Sequence, residues 1–391
     1  MTQDPLVALR RDLHAHPELR FQEHRTVTQI SAALQGHADE LTVVTGGTGL
    51  IARVDGALEG PVVLVRADID AYPVADAKDV AYSSTVPGVT HACGHDVHAA
   101  VGAGVIQRFA ADRDFAGSVV VAFQPAEEIP FGEASGAAAI LAEPALRDLR
   151  CSAVLGVHCW PQLTAGRVGV EHRIAMAAKD AFEVTISGAS AHAATPASGR
   201  DAILAASSLV SALHGVVARR RDPHEQLAFN IGTISGGTSQ SALATRVTVT
   251  GTIRTHEPDV RARLRETIET VVAGTGMQHE TPMQLRWANE MPAVVNDPAL
   301  VSLVREIGTE VAEIVDLEAA PLTTDDFALY AELAPTLYLK LGVAEPGTHA
   351  WPSLHSADFD VDESCIGVGV DTLCRLAQEI LIRSQLGVTT A

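Results

Sequence analysis

Three short valine-rich runs, Val62–Val65, Val119–Phe123 and Ala153–Val157, each end in polar side chains. The first runs into Arg66-Ala67-Asp68-Ile69-Asp70, the second into Gln124-Pro125-Ala126-Glu127-Glu128, and the third into His158. Continuous apolar runs of this length read as strands buried on both faces of an α/β sheet, and such sheets place their sites beyond the carboxyl ends of their strands. The pattern therefore predicts one sheet edge carrying Asp68, Glu127, Glu128 and His158. Taken singly, Asp68 reads equally well as a helix cap, the glutamate pair as a solvated turn and His158 as a satisfied core histidine; their convergence is what points to a site.

The stretch His91-Ala92-Cys93-Gly94-His95-Asp96-Val97-His98 adds a thiol and three imidazoles within eight residues. Thiolate and imidazole bind borderline divalent cations such as Zn²⁺, Mn²⁺, Co²⁺ and Ni²⁺. Gly94 lets the backbone bend so that Cys93 and His95 can face one ion, and the small apolar run Ala99–Ala110 predicts a helix carrying the loop. One cysteine and one histidine do not complete a metal site. The remaining ligands must come from elsewhere, and the sheet edge supplies them, together with His355 in Leu354-His355-Ser356; His349 reads as a loop residue.

At 391 residues the chain exceeds what a single core usually serves, so two domains are expected. Between about 177 and 287 the periodicity changes to a β-α-β-β-α-β order: strand Asp180–Ser187, helix Arg200–Arg219, strands Gln226–Ile234 and Arg246–Thr255, helix Pro258–Ala273 and strand Glu280–Trp287. That is the ferredoxin-like arrangement. After it, a helix Pro298–Ile314, a strand Thr336–Leu341 and a final helix Glu363–Ser384 return to the first domain. The expected fold is thus α/β, with a discontinuous catalytic domain (1–176 and 288–391) and an inserted α+β domain (177–287).

A net charge of −20 argues against nucleic acid or an anionic membrane as partner. Five scattered cysteines show no disulfide framework and favour a reducing compartment. No apolar run reads as long enough to span a membrane and no leader pattern opens the chain, so a cytoplasmic location is expected.

The chain resembles the M20 metallopeptidase and amidohydrolase family, in particular its hippurate hydrolase/N-acyl-amino-acid amidohydrolase branch, which includes the auxin-conjugate hydrolases. The resemblance rests on Arg11-Asp12-Leu13-His14-Ala15-His16-Pro17-Glu18-Leu19, Arg66–Ala71, His91–His98, Gln124–Glu128, Gly156-Val157-His158, His192-Ala193-Ala194, Gly251–Thr255 and Leu354-His355-Ser356, in order along nearly the whole chain. It implies a mixed-sheet phosphorylase/hydrolase-like catalytic domain with a ferredoxin-like lid that also dimerises, and two divalent metal ions (Zn, Mn, Co or Ni). The implied ligands are Cys93, the bridging one, with His95, Glu128, His158 and His355. Glu127 matches the general base, and Asp68 a carboxylate that orients a metal-binding histidine, Arg66 standing where that family often has a ligand histidine. His192 matches a residue that reaches an active site, in several members that of the partner subunit, and Arg254 an arginine that pairs the substrate carboxylate.

Three stretches depart from the family pattern, at Ser241-Ala242-Leu243-Ala244, Ala197 and Thr323-Thr324-Asp325-Asp326-Phe327. They concern substrate recognition, not the implied ligands. The sequence therefore predicts a metal-dependent amidohydrolase acting on N-acyl amino acids or related amides, as a homodimer or higher homo-oligomer. A dipeptidase or carboxypeptidase on the same machinery is the second reading. A metal-independent cysteine hydrolase using Cys93 and a non-catalytic binding protein are the others.

Overall fold

The computed structural model describes residues 4–130, 132–348 and 351–386; His349 lies outside the described residues. The first part of the chain forms α1 (Pro5–Ala15), α2 (His24–Leu34), β1 (Glu40–Val44), β2 (Gly49–Asp55), β3 (Leu58–Asp68), α3 (His95–Ala111) and β4 (Ala116–Gln124). Two short helices, α4 (Gly136–Leu141) and α5 (Pro144–Arg147), lead to β5 (Ala153–Thr164), β6 (Arg167–Glu171) and β7 (Ile174–Met176). The insertion runs β8 (Ala178–Ser187), α6 (Ala202–Arg220), β9 (Leu227–Gly236), β10 (Arg246–Thr255), α7 (Pro258–His279) and β11 (Met283–Met291). The chain then returns through β12 (Val294–Val295), α8 (Pro298–Val311), β13 (Glu313–Leu317), β14 (Thr336–Ala344) and α9 (Ser364–Gln385).

Eight strands form the large mixed sheet in the order β1-β2-β4-β3-β5-β14-β6-β13. Its centre, β4-β3-β5-β14, is parallel, and the register sets Asp68 opposite Gln124, Arg66 opposite Gly156 and His158 opposite Lys340. The carboxyl ends of these strands thus reach one level, as the valine-rich runs predict. Helices α1, α2, α3, α8 and α9 cover one face, where Val63, Val65, Val121 and Leu155 meet Val101, Val105, Leu373 and Ile380 in the main core. The strand ending near His158 is longer than its apolar run: β5 continues to Thr164, so His158 lies within the strand.

The insertion forms a separate four-stranded antiparallel sheet, β11-β8-β10-β9, with α6 and α7 on one face. Phe182, Val184, Ile186, Val247, Val249 and Ile253 bury against Leu209, Leu213, Leu264 and Ile268 in a core of its own. Its order is the expected β-α-β-β-α-β.

Three expectations change. Helix α8 stops at Val311, and the β-branched pair Ile314-Val315 becomes β13, which finds a parallel neighbour in Val168 and Gly169 of β6. Helix α7 runs past Ala273 and through Gly274 to His279, where Glu280 ends it in a left-handed conformation. Helix α6 is, by length and composition, apolar enough to cross a membrane, with a mean hydropathy of 1.5. Its serines hide this in a scan for unbroken apolar runs, and it lies on the small sheet through Ala202, Ala205, Ala206, Leu209, Leu213 and Val217.

Candidate metal centre

The Cys93 loop is held by backbone geometry. Gly94 has φ +82°, a conformation that favours glycine, and a Cβ there would come within 2.6 Å of Cys159 Sγ. Helix α3 starts at His95, earlier than the apolar run suggests, so His95 occupies its first turn. The backbone N–H of His355 donates to the Ala92 carbonyl (2.8 Å), and His355 adopts φ +65° while its ring stacks on Tyr72 at 4.1 Å. One interstrand-like bond thus ties the distant Leu354-His355-Ser356 loop to the cysteine loop. On the far side of the site, Ala126 turns with φ +51°, its N–H bound to the buried Glu23 carboxylate (3.0 Å), and this aims Glu127 and Glu128 inward.

Hydrogen bonding decides which ring nitrogens are free. His158 donates Nδ1–H to the Cys159 carbonyl (2.9 Å), so its Nε2 lone pair points at Cys93 Sγ, 3.5 Å away. His95 donates Nδ1–H to Asp70, whose backbone oxygen and Oδ1 lie at 2.9 and 3.1 Å, and His95 Nε2 is buried without a hydrogen-bond partner. Glu128 Oε1 also lacks one; it lies 2.7 Å from His355 Nε2 without the alignment of a hydrogen bond. Ligand atoms of Cys93, His95 and His158 lie within 4.8 Å of one another, as do those of Cys93, Glu128 and His355. Two buried ligand atoms without a hydrogen-bond partner, His95 Nε2 and Glu128 Oε1, set beside the sulfur of Cys93 and the ring nitrogens of His158 and His355, make a mixed donor set that fits divalent cations.

Electrostatics points the same way. Burial disfavours charge on His95, yet Asp68 and Asp70 together carry its pKa up to about 10. The pocket therefore calls for positive charge at Nε2. Burial pushes the Cys93 thiol well above its usual range, with Glu128 and Glu127 adding to the effect, and burial holds His158 well below its own. By themselves the two form a neutral thiol–imidazole pair, not the ion pair a cysteine hydrolase uses.

Asp68 differs from its expected role. Its Oδ1 takes the Nδ1–H of His98, whose Nε2 accepts the Cys159 N–H at 2.9 Å. With both nitrogens engaged, His98 offers no lone pair, and the carboxylate that orients His95 through Nδ1 is Asp70, which also accepts the Glu128 N–H (2.9 Å). Asp68 Oδ2 lies 3.3 Å from His95 Nε2 and 2.6 Å from Arg66 Nη1. The sequence signal for Asp70 is its spacing of two from Asp68 at a strand end, which leaves open which of the two faces the histidine.

Beside the cluster lies a cavity of about 350 Å³ lined by Cys93, Glu127, Glu128, His158 and His355, by Trp160, Met176 and Met291, and by Lys179 and Arg254 from the inserted sheet. Burial, then the charges of Glu128, Asp325 and Asp326, raise Glu127 well above the usual carboxylate range. Arg254 Nη1 donates to the Leu322 carbonyl (2.9 Å). Thr323 lines the cavity, whereas the exposed Ser241 and Ala197 are not among its lining residues. His192 is also apart from it: the side chain is exposed, and its Nδ1 accepts the Ala194 N–H (3.0 Å). Lys179, in contrast, lines the cavity although its sequence context carries no motif that marks it.

Residues 64–379 match the model of Peptidase family M20/M25/M40. An N-acetylcysteine deacetylase of Bacillus subtilis (strain 168) is 34% identical over 382 residues, 96% of this chain and 97% of that protein. Two solved structures superpose over 96% of this chain. A putative aminohydrolase from methicillin resistant Staphylococcus aureus has a TM-score of 0.88 and 28% identity over 96% of its own chain. A Bacillus subtilis dinuclear metal binding peptidase from the M20 family has a TM-score of 0.82 and 32% identity over 98% of its own chain. The match over most of the chain and the shared fold place this protein in peptidase family M20/M25/M40, as a hydrolase of that family.

Proposed function

We propose that this chain is a two-metal amidohydrolase that cleaves the amide of an N-acyl amino acid or a close analogue, releasing a carboxylic acid and an amine. The observation that carries this reading is the convergence of ligand atoms from Cys93, His95, Glu128, His158 and His355, two of them (His95 Nε2 and Glu128 Oε1) buried without a hydrogen-bond partner, against a cavity that also holds Glu127. Cys93, His95, Glu128, His158 and His355 would hold the divalent ions, whose chemistry there would be Lewis acidity toward the amide carbonyl and the attacking water. Glu127, which lines the cavity beside Glu128, takes the water proton on its carboxylate and returns it to the leaving nitrogen. Asp70 keeps His95 in the tautomer that leaves Nε2 free. The deacetylase and the dinuclear peptidase among the similar proteins support the same chemistry.

A dipeptidase must also neutralise a free substrate amine. Among the described residues lining the cavity, Glu127 and Glu128 belong to the metal centre, and Asp326 is bound by Arg66, Gln124 and Ser135. The cations Lys179 and Arg254 line it instead, which favours a neutral acyl side and an anionic amine half. Stripping metal with phenanthroline is expected to abolish hydrolysis of N-acetyl amino acids, and added Mn²⁺, Zn²⁺, Co²⁺ or Ni²⁺ to restore it. Full turnover by protein whose metal loss is verified by mass spectrometry sinks the reading.

The inserted domain reads as the surface for a second copy of the chain. β9 is an edge strand, and Ile203, Leu204 and Ile234 on this domain are 47%, 57% and 54% exposed. His192, away from its own cavity, then serves the partner's site. Mixing His192→Ala and Glu127→Gln proteins, each of low activity alone, is expected to restore up to about a quarter of wild-type activity, because hybrid dimers carry one intact site. No recovery after subunit exchange, confirmed by tagged pull-down, assigns His192 no role across subunits. The five free cysteines agree with a reducing, cytoplasmic location.

A further inference from the structure

Lys179 and Arg254 are direct partners in the antiparallel pair of β8 and β10. Phe182, Val184, Ile186 and Ile253 point to the helices, so alternation puts Lys179 and Arg254 on the opposite face, which looks into the cavity. Two like charges directly opposite each other across a strand pair repel. Both are half-buried, and burial lowers the pKa of each; the Arg254 guanidinium lowers that of Lys179 further, while the Glu127 and Glu128 carboxylates across the cavity oppose the shift without pairing with the ammonium.

The chain pairs its other interior cations. Arg10 meets Asp96, Arg66 meets Asp68, Asp325 and Asp326, and Lys340 meets Glu171. Asp180, next to Lys179 in sequence, is on the helix face and is taken by Arg261 and Arg265. Among the described residues Lys179 makes no hydrogen bond or ion pair, and Arg254 donates only Nη1, to the Leu322 carbonyl. The Nε and Nη2 edge of Arg254 remains able to take one carboxylate in a forked contact, and the ammonium remains over for another.

We propose that Lys179 is a specificity-determining residue that, beside Arg254, binds a second carboxylate on the amine half, so that the preferred substrate is an N-acyl derivative of an acidic amino acid. Trp160, Met176 and Met291 leave an apolar wall for the acyl group. The proposal rests on the amidohydrolase reading for the chemistry, but its recognition part is separable from turnover.

The experiment is calorimetric binding of N-acetyl-L-glutamate and N-acetyl-L-glutamine, isosteres that differ by one charge, to metal-loaded protein in the Glu127→Gln background. The glutamate compound is expected to bind at least about tenfold more tightly. Adding Lys179→Met should bring the two affinities within about twofold, and Lys179→Arg should keep most of the preference. Equal binding of the two ligands without a Lys179 substitution, or a preference that survives Lys179→Met, overturns the proposal. Should Lys179→Met not fold, Lys179→Gln, which keeps a polar side chain and removes the charge, carries the same test with the same two outcomes. Turnover of the same two compounds by the enzyme with Glu127 intact is measured separately: preferential binding without hydrolysis defeats the amidohydrolase reading, while hydrolysis without preference defeats only the assignment of Lys179.

Discussion

Glu127→Gln is expected to keep its bound divalent ions while hydrolysis of an N-acyl amino acid falls by roughly 10²–10⁴-fold. Glutamine preserves the shape and the hydrogen-bonding reach of the side chain but cannot accept a proton from water. The geometry makes this a sharp test, because Glu127 as well as Glu128 lies within ligand distance of His95. Glu128 is fixed by its N–H bond to Asp70 and by its contact with His355, whereas Glu127 faces Asp325, Asp326 and the cavity. If the variant loses metal in parallel with activity, Glu127 is a ligand and the roles of the pair are exchanged. Metal content by mass spectrometry and single-turnover rates read the two effects independently.

Arg66→Met is expected to destabilise the fold by about 3–5 kcal/mol, seen as a lower denaturation midpoint. Arg66 is fully buried and donates Nε–H to Gln124 (3.0 Å), Nη1–H to Asp68 (2.6 Å), and Nη2–H to Asp325 (3.0 Å) and Asp326 (2.9 Å). Methionine fills much of the same volume, so the loss comes from charge. Three buried carboxylates then share no cation from this position, although Asp326 keeps the Ser135 hydroxyl and the Ala137 N–H, and Asp325 keeps the Tyr338 hydroxyl. Because Asp68 holds His98, and the 325–326 turn flanks Glu127, weaker metal retention should accompany the loss of stability. A midpoint within experimental error of wild type would show that the carboxylates are protonated in the native state and that Arg66 contributes no net stabilisation.

Much of the architecture was legible because burial leaves a periodic trace. Runs buried on both faces marked β3, β4 and β5, and alternation marked the inserted sheet, since each face of those strands meets a different medium. β13 left a weak trace, being short and half-buried, and the apolar character of α6 was spread among serines and alanines. The residue types of the metal centre were legible from their chemistry and clustering. Partners that act through the backbone were not: nothing in the composition around Glu23 marks its hold on the Ala126 N–H, and nothing around Ala92 marks its bond to His355.

By itself the sequence determined which chemistry is available, because thiol, imidazole and carboxylate carry their ligand properties wherever they lie, and because strand ends can be located by where apolar runs stop. Only the tertiary structure decided which atoms are free to use. His98 and His95 are three residues apart in one helix, yet Cys159 and Asp68 consume both nitrogens of the first, while Asp70 takes only one of the second. The facing of Lys179 and Arg254 is likewise a matter of strand register, set 75 positions apart in the chain. Hydrogen bonds to a ring nitrogen and the register of a strand pair depend on groups brought together from distant segments, and local sequence holds no record of them.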